Sequence, residues 1–288
     1  MCFGVRDAIE LARQQAALEP LTVLGDLVHN ETVLEDLRAQ GVRIVQQAAA
    51  VETQTVMISA HGASERAVGR LRERGLRVME ATCLLVHLAH RAVAKLAREG
   101  YHPVIVGKRE HVEVRGLTGD LADFDVVLTE EDVSELQERA RFGVAAQTTQ
   151  PIERVRELVA AIRQRFPGSE VRFIDTVCRP TKQRQAAAVE LSQQAEVVVV
   201  IGGAHSSNTR ELVQTCSRHC ARVHHVQTAL DLRDEWFEGV ETIGITAGTS
   251  TPDQSIDEVE HWLNRLAARR HFAHLVPAGV ELQHQQAA

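Results

Sequence analysis

The sequence predicts an α/β protein made of three similar small α/β domains with mainly parallel sheets, in a pseudo-threefold arrangement around one central site. Three observations predict it. Short β-rich runs alternate with helical patterns along the whole chain, which is the signature of strand–helix units and parallel sheets. A cysteine–helix–strand–glycine pattern occurs three times. The 288 residues are 44% apolar and 25% charged, ordinary for a globular chain with room for several small cores.

Taken in order, the strand-like runs are Leu21 to Leu24, Val42 to Val45, Val56 to Ser59, Val104 to Val106, Val126 to Leu128, Gly143 to Ala146, Val197 to Ile201, Arg222 to His225 and Thr242 to Ile245. Each is short, rich in β-branched residues and bounded by polar or glycine residues. Helical periodicity runs over Val5 to Leu18, Glu65 to Arg74, Leu84 to Glu99, Ile152 to Phe166 and Gln254 to Leu266.

The longer period is set by cysteines. Cys2, Cys83 and Cys178 each open a helix, and each helix leads to a strand ending at Gly25, Gly107 or Gly202. The cysteine-to-glycine separations are 23, 24 and 24 residues. After each glycine a polar loop opens a new helix: Gly25 to Asn30, Gly107 to Glu113, and Gly203 to Asn208. A later strand in each repeat runs into a second polar loop: Ser59 to Gly62, Ala146 to Thr149, and Thr246 to Ser250. Repeats of 81 and 95 residues are too long for a solenoid and are the size of small domains. The expected domains are residues 1–81, 82–176 and 177–268, with 269–288 as a loosely ordered C-terminal tail.

Ligands of parallel α/β sheets sit beyond the carboxyl ends of the strands. Here those ends carry His, Ser, Thr and Asn. Three domains turned inward would place three cysteines and six polar loops around one cavity. Helix N-capping also favours Ser, Thr and Asn and accounts for any one loop taken alone. It does not account for the histidines or the matching cysteines.

The balance of 32 basic against 39 acidic residues gives a net charge of −7, which argues against a protein that coats nucleic acid or an acidic membrane. The longest apolar run is strand-sized and no secretory leader is read at the start, so the cytoplasm is the expected location. Thiols stay reduced there, which makes the five cysteines ligands, nucleophiles or core residues rather than disulfides. Cys2, Cys83 and Cys178 are too widely spaced for a zinc knuckle and lack the clustered run of bacterial ferredoxins. Three thiolates from three domains suit a [4Fe–4S] cubane with one iron left for substrate. Buried free cysteine is the competing reading. Cys216 and Cys220 form a separate i, i+4 pair followed by His224 and His225; a metal at the end of a helix is the weaker reading there, because no further fixed-spacing ligands accompany them.

At these loops the chain resembles the IspH/LytB family, the 4-hydroxy-3-methylbut-2-enyl diphosphate reductases of the non-mevalonate isoprenoid pathway. The motifs are Cys2-Phe3-Gly4-Val5, Val28-His29-Asn30, Ser59-Ala60-His61-Gly62, Ala81-Thr82-Cys83, His111-Val112-Glu113-Val114, Gln147-Thr148-Thr149, Cys178 with Arg184-Gln185, Ser206-Ser207-Asn208 and Gly248-Thr249-Ser250-Thr251-Pro252. The resemblance implies that Cys2, Cys83 and Cys178 ligate a [4Fe–4S] cluster. It implies that His29, His61, His111, Ser206, Ser207, Asn208 and Ser250 line the substrate site, most of them holding the diphosphate. Glu113 matches the family's proton-delivering acid, with Thr148 relaying to the substrate hydroxyl, because hydroxide leaves poorly until protonated. An electron donor such as ferredoxin or flavodoxin is implied as partner.

This sequence departs from the family pattern at several points. The family has a strand and a Pro-Arg-Gly run before its first cysteine, whereas here Cys2 is the second residue, where termini fray. The true start is expected upstream, or a strand of the first domain is absent. Val112 stands where the family has Pro, Leu84 likewise, and Arg179-Pro180-Thr181 follows the third cysteine, with Thr181 within reach of the pocket. Two other functions compete: a divergent paralogue that keeps the cluster as redox sensor or carrier, and a metal-dependent phosphohydrolase using the histidines. Retention of Glu113, Thr148 and the Ser206-Ser207-Asn208 loop together favours the reductase.

Overall fold

A computed structural model describes residues 1–28 and 30–275, with side chains through Arg269; His29 and residues 276–288 lie outside the described residues. The chain begins with α1 (Phe3–Ala16), β1 (Leu21–Leu24), α2 (Glu31–Ala39), β2 (Arg43–Val45), β3 (Thr55–Ile58), α3 (Glu65–Glu73) and β4 (Arg77–Glu80). It continues with α4 (Leu84–Arg98), β5 (His102–Val106), α5 (Val112–Thr118), β6 (Asp125–Val127), α6 (Glu130–Glu135), β7 (Arg141–Ala146), α7 (Ile152–Arg165) and β8 (Glu170–Phe173). The last stretch holds α8 (Arg179–Gln194), β9 (Val197–Ile201), α9 (Ser207–Ser217), β10 (Val223–Val226), β11 (Ile243–Ala247) and α10 (Asp253–Leu275).

The strands form three sheets of one design, ordered β2-β1-β3-β4, β6-β5-β7-β8 and β10-β9-β11. All the pairings are parallel. The central strands have both faces covered, so they read as continuous apolar runs; Val197 to Ile201 is fully buried throughout. Separate apolar clusters lie on the two faces of each sheet. On the second, Val104, Val144, Leu158 and Ile162 pack on one side and Ala89, Val93, Ile105 and Leu117 on the other.

Two strands escape the sequence reading, β4 and β8. Arg77-Val78-Met79-Glu80 and Glu170-Val171-Arg172-Phe173 carry charges because they are sheet edges, exposed in part along their length. Both edge strands run directly towards a cysteine, β4 to Cys83 and β8 to Cys178. The last helix is longer than its periodicity predicts: α10 continues to Leu275, past the expected start of the tail at residue 269.

In each sheet the order reverses between the first and third strand of the repeat, at β1/β3, β5/β7 and β9/β11. The carboxyl ends there are the topological switch points at which open α/β sheets bind ligands. All six polar loops named from the sequence leave from these strands. Among the described residues no helix is long and apolar enough to cross a membrane.

Candidate active site

The three cysteines are the N-cap residues of α1, α4 and α8. Their backbones are tied down in a cyclic pattern. Cys83 N–H donates to Ala60 O (3.1 Å), in the loop after β3. Cys178 N–H donates to Thr148 O (2.9 Å), in the loop after β7, and Cys2 N–H to Thr249 O (2.8 Å), in the loop after β11. Each cysteine is thus pinned to the switch-point loop of the preceding sheet, the third closing back on the first. Cys2, expected to fray, is anchored by this bond.

Glycine lets the helices approach. A Cβ on Gly4 would stand 2.6 Å from Cys83 Sγ, so the first turn of α1 closes over Cys83 only because residue 4 has no side chain. The result is a compact central cavity of about 80 Å³, partly open to solvent. Cys2, Cys83 and Cys178 line it together with Glu113, Thr148, His61, His111, Ser206, Ser207, Asn208 and Ser250. Of the site residues expected from sequence, His29 alone falls outside the described residues. Phe3, Val5, Val28, Leu85, Val86 and Pro180 form an apolar part of the lining, a shared role not read from the sequence although several of them stand in its motifs. The signal was present, since most of these residues sit beside a cysteine.

Glu113 is buried, 1% exposed, on the first turn of α5. Its Oε1 accepts from Thr148 N–H at 2.6 Å and its Oε2 from the Thr148 hydroxyl at 3.0 Å. Burial raises its pKa from 4.5 to about 7, against the opposing pull of those two hydrogen bonds. A carboxyl poised there can hold a proton at neutral pH and give it up, as general acid chemistry requires.

The loop residues serve as helix caps as well as pocket lining. Ser206 Oγ accepts from Thr209 N–H at the start of α9 (3.3 Å), and His111 Nδ1 accepts from Glu113 N–H (3.2 Å). Capping uses the serine's acceptor capacity and keeps its hydroxyl proton as a donor, while the bond at His111 Nδ1 assigns that ring's proton to Nε2. His61 packs edge-on to His111, with ring centroids 5.5 Å apart. Asn208 Nδ2 and Ser250 Oγ are buried without a hydrogen-bond partner among the described residues. Orphaned donors cost free energy, so two of them lining one cavity, Asn208 in the first turn of α9 and Ser250 in the loop after β11, suit an anionic ligand. Arg184 holds the opposite loop, donating to the Ala247 and Gly248 carbonyls.

All three cysteines are free thiols. Burial raises the Cys83 and Cys178 pKa values, with a smaller push from nearby Cys2 and Glu113. Neutral thiols are the stable state there until a cation compensates them. Among the described residues no three His, Cys, Asp or Glu side chains lie close enough to share a single metal ion. Cys216 and Cys220 lie elsewhere, buried with Ala188, Val198, Val200 and Leu212 in the core beside β9.

Fold and site together define a three-sheet α/β protein with a cysteine-walled, acid-bearing pocket at its centre. Comparison with known proteins gives the family. The profile of the LytB protein family matches residues 1–264, and the chain belongs to that family. It is 40% identical over 270 residues to a 4-hydroxy-3-methylbut-2-enyl diphosphate reductase of Citrifermentans bemidjiense, covering 93% of this chain and 94% of that one. To the protein of the same name from Aquifex aeolicus it is 38% identical over 265 residues, 90% of this chain and 91% of that one. A solved structure of (E)-4-hydroxy-3-methyl-but-2-enyl diphosphate reductase, the terminal enzyme of the non-mevalonate pathway, superposes with a TM-score of 0.67 at 37% identity, over 92% of this chain and 96% of that one. The E-1-hydroxy-2-methyl-but-2-enyl-4-diphosphate reductase of Plasmodium falciparum gives 0.83 at 27%, over 92% and 84%.

Proposed function

We propose that this chain reduces 4-hydroxy-3-methylbut-2-enyl diphosphate to isopentenyl and dimethylallyl diphosphate. The observation that carries the reading is the company Glu113 keeps: a buried acid with a pKa of about 7, in one cavity with three thiols and two orphaned donors. The overall change takes up two electrons and two protons, removes the allylic hydroxyl as water and leaves the diphosphate untouched. That demands an anion grip, a proton source and an electron path in one place.

Asn208, Ser250, Ser206 and Ser207, with His29, His61 and His111, are the grip. Hydroxyl, amide and imidazole donors satisfy diphosphate oxygens, and the N-terminal field of α9 favours the negative charge. Glu113 holds the proton that converts hydroxide into a neutral leaving group. Thr148 fixes the carboxyl with two hydrogen bonds, which supports its role as the relay from Glu113 to the substrate hydroxyl. The apolar wall excludes water from the reacting end. Cys2, Cys83 and Cys178 would hold a [4Fe–4S] cluster, which when bound supplies electrons and an iron without a protein ligand to act as Lewis acid. A small electron carrier such as ferredoxin or flavodoxin delivers those electrons, and the cytoplasm is the compartment that keeps the thiols reduced.

The test is Glu113→Gln, which keeps shape but has no acidic proton. Anaerobic turnover of 4-hydroxy-3-methylbut-2-enyl diphosphate with a dye donor should fall by roughly 10²-fold or more, while substrate affinity by calorimetry stays near wild type. Near-normal turnover removes Glu113 from the mechanism. A wild-type protein that neither binds nor reduces this diphosphate removes the reaction itself.

A further inference from the structure

The three cysteine helices can be compared with one another. Each cysteine caps its helix, and the residue three positions on is Val5 in α1, Val86 in α4 and Thr181 in α8. Valine and threonine are nearly isosteric; a methyl is exchanged for a hydroxyl. Thr181 is fully buried, and its Oγ1 lies 3.0 Å from Cys178 Sγ. A hydroxyl buried in this way must find a partner, and here the partner is the sulfur. Neither Cys2 nor Cys83 has a hydroxyl at the equivalent place. A ligating thiolate carries no proton, so in the metal-bound state the hydroxyl is the donor and the sulfur the acceptor.

We propose that Thr181 is a positioning residue for the redox centre: by donating a hydrogen bond to Cys178 Sγ it raises the reduction potential and makes the Cys178 corner electronically distinct from the other two. The assignment rests on the reading of the three cysteines as cluster ligands. A hydrogen bond to a ligand sulfur draws electron density from it and stabilises the more negative, reduced state; such bonds are among the determinants of cluster potential. Thr181→Val makes the third repeat like the first two at this position without changing its volume.

The experiment compares wild type, Thr181→Val, Thr181→Ala and Thr181→Ser, each purified anaerobically with its cluster. Iron per chain is measured first, then the midpoint potential by titration followed by visible absorbance and electron paramagnetic resonance. The expected result is wild-type iron content in all four, a midpoint shifted to more negative potential in the Val and Ala variants, and a wild-type midpoint in the Ser variant. An unchanged midpoint in Thr181→Val with full iron overturns the proposal. So does iron loss in Val and Ala with retention in Ser, since the hydroxyl would then secure the cluster rather than tune it. Wild-type protein that takes up no iron refutes the cluster reading, and this assignment with it, which separates that failure from the others.

Discussion

Replacing Glu113 by glutamine should change how stability depends on pH, apart from any effect on turnover. In the unfolded chain this carboxyl ionises near 4.5, and in the fold near 7. Between those values the native state binds more protons than the unfolded state, so stability falls as pH rises. The contribution is fully present below about pH 4.5 and is lost by about pH 8. At 1.36 kcal/mol per pKa unit the loss is about 3 kcal/mol, a large share of a domain's stability. The Glu113→Gln side chain would be neutral throughout and would remove this slope, while its amide keeps an acceptor for Thr148 N–H. The assay is urea unfolding of iron-free protein in reducing buffer at pH 5 and pH 8, because a bound metal group would break two-state behaviour. Relative to wild type, the variant should gain about 2–3 kcal/mol between the two pH values. The same pH dependence in both proteins would refute the claim that Glu113 pays a burial penalty when ionised.

Other outcomes follow from the same geometry. Asn208→Ala deletes an orphaned donor and should weaken diphosphate binding about tenfold by calorimetry, with kcat nearly unchanged; equal affinity would take Asn208 out of the grip. Gly4→Ala forces a Cβ to within 2.6 Å of Cys83 Sγ and should cost iron on anaerobic purification, as should Cys178→Ser, whereas Cys216→Ser, buried elsewhere, should retain it. Retention of full iron by Cys178→Ser would defeat the ligand assignment. Glu211→Gln leaves the largely buried Arg154 without its ion-pair partner between α9 and α7, and should cost about 2 kcal/mol in urea unfolding; no loss would mean water replaces the carboxylate.

Much of the site was legible because repetition marks it. A cysteine before a helix is ordinary once, but three at matching distances from Gly25, Gly107 and Gly202 place three thiols at equivalent points of three sheets. The strands that failed to register were β4 and β8, whose charged alternation suits a sheet edge and resembles a polar loop in sequence. Glu113 was harder. At the first turn of α5 a carboxylate is favoured by the helix field, so local reasoning points to solvent. Its burial depends on Thr148 and the cysteine helices folding over it, which no local pattern records. The near-perpendicular His61 and His111 pair likewise exists only once two sheets meet. Capping and cavity lining, read as alternatives in the sequence, coexist in Ser206 and His111, which cap α9 and α5 and line the same cavity.

The ring of bonds from each cysteine N–H to the preceding sheet has a consequence for how the protein is made. Cys83 and Cys178 meet their carbonyl partners, Ala60 and Thr148, soon after leaving the ribosome, since those residues have already been synthesised. Cys2 is the first of the three to emerge, yet its partner Thr249 belongs to the last switch-point loop. At roughly 5–20 residues per second, that partner arrives tens of seconds later. During this interval the first thiol stays unanchored and the three-sided site cannot be completed. A group held from all three sides would therefore enter only after the third sheet has formed, and a ribosome stalled within that sheet would release a product whose central cavity lacks one wall.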